Sequence, residues 1–129
     1  PGPVQADEAV DLLKFVALSD MGMEEKLCAL EELKEKGTSS ARAALVEIAG
    51  KAELRVAMAA CAQLGRLKSS DSKGDLKGLL EDGGNRIEVR LAAALSEHVP
   101  HATKQFAHPG LLYVALSTFW MASTSWSNS

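Results

Sequence analysis

Apolar positions along the chain recur at the three- and four-residue spacing of α-helices in six successive stretches, each ended by a short polar or glycine-containing break. From Ala6, the residues Ala9, Val10, Leu12, Leu13, Phe15, Val16 and Leu18 predict a first helix ending near Ser19. Asp7, Glu8 and Asp11 sit early in it, where carboxylates complement the helix dipole. Met21-Gly22-Met23 breaks the pattern. A second stripe of Met23, Leu27, Leu30 and Leu33 is opposed by Glu24, Glu25, Glu31, Glu32 and Glu35 with Lys26, Lys34 and Lys36, and Gly37 suits the left-handed position after its end. Thr38, Ser39 or Ser40 is placed to cap a third helix carrying Ala44, Leu45, Ile48 and Ala49. After Gly50-Lys51-Ala52 a fourth helix is predicted over about 52–67. Leu54, Met58, Cys61 and Gly65 lie along one side of it, and its many alanines let neighbours approach from several sides. Lys68 to Gly74 reads as a polar loop and Asp75 to Glu81 as a short fifth helix, stopped by Asp82-Gly83-Gly84-Asn85. A sixth runs from Arg86 to about His98 and ends before Pro100, which disfavours helical geometry at Val99.

The third to sixth stretches state nearly the same pattern twice. Glu53-Leu54-Arg55-Val56-Ala57-Met58-Ala59-Ala60 aligns with Glu88-Val89-Arg90-Leu91-Ala92-Ala93-Ala94-Leu95 at an offset of 35 residues, and at that offset Leu45 falls on Leu80. A period in this range with two helical segments per period is the mark of an α-solenoid. The expected fold is therefore all-α, a single domain of about three antiparallel helix pairs: a degenerate first pair over 6–36, a second over 38–67 and a third over 71–99. A C-terminal apolar element over 101–122 and a Ser-rich tail over 123–129 follow.

At Leu54-Arg55 and Val89-Arg90 the chain resembles a HEAT-like repeat, of the short type found in bilin-lyase-like proteins. Such repeats carry an apolar residue and an Arg near the start of the second helix, then alanines and often a closing glycine. Ala59, Ala60, Ala62, Leu64 and Gly65 supply that ending in one copy, and Ala92, Ala93, Ala94 and Leu95 in the other. The family often places an Asp before the second helix. Ala49 stands at that slot in the first copy, and Asp82 reaches it in the second only if Gly83-Gly84-Asn85 holds extra residues. In the first pair, Lys26-Leu27-Cys28-Ala29-Leu30 replaces the Arg-plus-small-residue run. The resemblance covers residues 38–99. It implies a non-catalytic scaffold for another protein, with the second helices lining a concave face, and makes Arg55, Gln63, Arg66, Arg86, Arg90 and Glu97 the candidate partner-binding residues. Arg55 and Arg90 share one slot, so each is also expected to bond to a carboxylate or a helix-end carbonyl.

Charge and composition narrow the alternatives. The formal charge of −3 is uneven: residues 1–36 hold nine acids and four bases, 37–98 eight acids and nine bases, and 99–129 a single Lys. An acidic chain without a basic face argues against nucleic acid. The small basic cluster of Arg66, Lys68, Lys73 and Lys77 reads as a solvated turn. Cys28 and Cys61 lie within apolar helical patterns and show no metal or redox spacing, which suggests a reducing compartment, cytoplasmic or nuclear. Pro1-Gly2-Pro3, with no initiator Met, is no signal peptide and reads as the start of a segment cut from a longer helical-repeat protein. The longest apolar run, Leu111 to Ala122, is too short to span a bilayer.

No Gly-x-Ser-x-Gly, Gly-rich phosphate loop, His-Glu-x-x-His or Cys-x-x-Cys occurs, so neither catalytic residues nor a cofactor is expected. The rival reading is a metal-dependent HEAT-type enzyme built on Glu97, His98, His101 and His108. Pro100 opposes it by interrupting the helix that would aim the ligands together. The stretch Leu111 to Met121 is apolar on nearly every side and has to be covered. Leu112, Tyr113, Phe119 and Trp120 are accordingly expected as a cap on the sixth helix or as an interface with a partner or a second copy. With only Ser117 and Thr118 to turn outward, the interface is favoured.

Overall fold

Six α-helices, and no strand, form among the described residues, 2–67 and 69–99 of this computed structural model, with side chains described from Glu8 on. They are α1 (Gly2–Leu18), α2 (Met23–Lys36), α3 (Ser39–Lys51), α4 (Leu54–Leu67), α5 (Ser70–Glu81) and α6 (Ile87–His98). Their boundaries follow from the backbone groups at each helix end that lack a partner within the helix. α2 carries Glu24 and Glu25 in its first turn and Lys34 and Lys36 in its last, matching its dipole. It ends at Gly37, whose φ of 62° is left-handed and whose N–H donates to the Leu33 carbonyl at 3.3 Å. Immediately after it, Thr38 Oγ1 accepts from the Ala41 N–H at 3.1 Å and starts α3.

α5 begins earlier than composition suggests. Ser69 Oγ accepts from the Ser72 N–H at 3.0 Å while Ser72 Oγ accepts from the Ser69 N–H at 3.2 Å, a reciprocal capping box with Asp71 in the first turn. Most of the stretch expected to be a polar loop is thus helix. At the other end, the Asp82 N–H reaches the Gly78 carbonyl at 3.1 Å and the Asn85 side-chain amide donates to the Leu79 carbonyl at 3.0 Å. Three further boundaries shift: α1 starts at Gly2, Ala52 is extended backbone ahead of α4, and Arg86 precedes α6 as its cap residue.

Each helix packs on the next and on the next but one: α1 on α3, α3 on α5, α2 on α4 and α4 on α6. α4 lies at the centre, against α2, α3, α5 and α6. Every residue from Val56 to Gly65 is buried. Small side chains permit this. A Cβ on Gly65 would lie 2.6 Å from the Ser96 carbonyl oxygen, so α6 rests on nearly bare α4 backbone there. Val56, Met58 and Leu64 of α4 join Leu30, Leu33, Leu45, Ile48, Leu76 and Val89 in one core. Burying each such side chain contributes about 1.5–3 kcal/mol. A half-exposed ion pair such as Lys14–Glu47, at 3.5 Å, contributes about 0–1 kcal/mol. Apolar burial around α4, not surface charge, holds the fold.

Polar ties join segments about 30 residues apart in the chain. Arg42 Nη1 of α3 lies 2.9 Å from Asp75 Oδ2 of α5, 33 residues on. Arg86 Nη2 donates to the Ala52 carbonyl, 34 residues back, at 2.6 Å. The Cys61 thiol donates to the Val89 carbonyl, 28 residues on, at 3.9 Å.

Candidate interaction surface

Arg55 and Arg66 are exposed at the two ends of α4. Eleven residues apart at about 100° per residue, they lie on the same side of the helix. Between them on that side Met58, Ala59, Ala62 and Gln63 are all buried. Gln63, expected at the surface, is only 1% exposed, because the small residues of α4 admit neighbours on that side as well. Its Oε1 and the Oγ of the equally buried Ser96 make no hydrogen bond among the described residues. The anticipated open face of α4 is therefore reduced to its two terminal arginines.

The two arginines in matching sequence slots part company. Arg90, half-buried, donates from Nε to the Leu80 carbonyl at 2.8 Å, satisfying one of the free carbonyls at the end of α5. Arg55 makes no hydrogen bond or ion pair among the described residues. Arg55 is the second residue of α4 whereas Arg90 is the fourth of α6, so only Arg90 sits deep enough in its helix to meet the end of the preceding one. Just past the end of α3 the Ala52 carbonyl accepts from the exposed Arg86.

Glu97 is half-buried and lies 3.8 Å from Nε2 of the exposed His98. No three His, Cys, Asp or Glu side chains converge on a metal position among the described residues. His101 and His108 fall outside them, as do Leu112, Tyr113, Phe119 and Trp120. Burial pushes the Cys61 thiol up to about 12, so it stays protonated and is no nucleophile at neutral pH. Arg66, Lys73 and Lys77 are all exposed.

Two features carry little signal in the sequence. Arg42 bridges α3 to α5 through a carboxylate 33 residues away, which nothing local announces. The apolar residues of α1 occupy more than one side: Val10 and Ala17 are buried, but Leu12 and Phe15 are 67% and 69% exposed. No helix among the described residues is long and apolar enough to cross a membrane. No family model, curated protein or solved structure matches the chain.

Proposed function

We propose that the chain is a HEAT-like α-solenoid segment of three stacked helix pairs that acts as a non-catalytic scaffold for another protein. The observation that carries this reading is the packing order, in which each helix meets the next and the next but one. Stacking helix pairs produces that order, and the ties between residues 28–34 positions apart repeat it at the level of side chains. Arg55, Arg66, Arg86 and Glu97 are the proposed contact residues, with Gln63 and Arg90 serving the fold and Arg86 also tied to the Ala52 carbonyl. Two free cysteines fit a reducing setting, cytoplasmic or nuclear.

The test is affinity capture from cell extract with the native chain and with the double variant Arg55→Glu, Arg66→Glu. Neither side chain is bonded within the described fold, so the variant should melt like the native protein. A partner retained by the native chain should fall about tenfold with the variant. Equal retention by both, or none by either, would sink the proposed surface.

A further inference from the structure

α1 has two apolar sides. Val10 and Ala17 face the core and Leu13 packs against it. Leu12 and Phe15, at about 100° per residue, fall on the opposite side. Of the six large apolar side chains exposed among the described residues, four lie between Leu12 and Met21: Leu12, Phe15, Leu18 and Met21. A single exposed leucine needs no explanation, but a cluster of this kind marks a contact surface. An open depression of about 750 Å³ adjoins it on one flank, lined by Asp11, Lys14, Phe15, Leu18, Ser19 and Asp20.

Charge selects the occupant. Glu8 and Asp11 share the exposed side of α1, Asp20 lies just past its end, and all three carboxylates are exposed without an ion pair among the described residues. Lys14, the one base between Glu8 and Glu25, is already drawn to Glu47 at 3.5 Å. A second copy of α1 placed here would set Glu8, Asp11 and Asp20 against their own duplicates, and like charges across an interface are disfavoured. A helix that is apolar on one side and flanked by Lys or Arg complements both the ridge and its rim.

We propose that this side of α1 is a docking site for a basic amphipathic helix of a partner protein. It involves no residue of the α4 and α6 surface, so either site can fail without the other. The test is fluorescence anisotropy on the full chain with a labelled Leu/Lys amphipathic peptide of about 18 residues, long enough to form a helix. A Leu/Glu peptide with the same apolar side is the control. The Leu/Lys peptide should bind saturably and the control should not. Two sets of substitutions at exposed positions, Leu12→Ser with Phe15→Ser and Glu8→Gln with Asp11→Asn and Asp20→Asn, should each weaken binding about tenfold while the circular dichroism spectrum stays native. Raising salt from about 0.05 to about 0.5 M should weaken it too. Absent binding, equal binding of both peptides, or binding indifferent to the Leu12 and Phe15 changes would overturn the proposal. So would a native dimer in sedimentation that those two changes dissolve, since the occupant would then be a second copy.

Discussion

Arg90 holds a helix end and Arg55 holds nothing among the described residues, although the residues around them are nearly the same. Arg90→Ala should therefore lower stability by about 1–2 kcal/mol, because the Leu80 carbonyl loses its donor. Arg55→Ala should stay within about 0.5 kcal/mol of the native chain. Urea denaturation of the two variants decides the matter, and equal losses would make the arginines structural equivalents after all. The residue scale is also where the sequence is hardest to read. Gln63 has Ala62 and Leu64 beside it, and its polarity marks it as a surface residue. What encloses it is tertiary packing around α4, which no local window contains. The same distance hides the Arg42–Asp75 bridge.

At the level of elements, capping chemistry is local and so is legible where one residue type has one use. Gly37 and Thr38 end α2 and begin α3 as their types indicate. Ser and Asp have two uses, since they form turns and also cap helices, and Ser69-Ser70-Asp71-Ser72 reads as loop from composition alone. In the structure they cap and begin α5 instead. Ser69→Ala should cost about 1 kcal/mol and speed amide exchange at the start of α5. Ser72→Ala should cost a similar amount, and the double variant less than the sum, because each hydroxyl serves the other's backbone. Unchanged exchange in Ser69→Ala would mean that α5 starts nearer Asp75. The spacing of the helices departs from that of the matched residues. α3 and α5 start at 39 and 70, a step of 31, and α4 and α6 at 54 and 87, a step of 33, while the matched residues are 35 apart. The connector between α5 and α6 is longer than that between α3 and α4, and the apolar stripes tolerate the slip because burial, not register with a particular residue, is what they supply.

For the whole molecule, the central place of α4 makes its exposure a collective event. Cys61 can meet solvent only when contacts with several helices are lost together, and its thiol must also ionise from a value pushed up to about 12. Cys28 is exposed on α2. A thiol reagent should label Cys28 in the native state, and Cys61 only at the rate of global unfolding, with the same denaturant dependence. Labelling of Cys61 faster than unfolding permits would show α6 opening on its own. The enclosure of α4 also bears on ancestry. Exposed positions of α2 can be exchanged with little loss of stability, whereas Gly65 cannot gain even a methyl group without meeting Ser96, and the alanines around it are fully buried. Over evolutionary drift the surface would be rewritten first. A distant cousin of this protein would then be recognised by the decapeptide at 56–65, a buried run rich in alanine and closed by glycine, long after overall identity had faded.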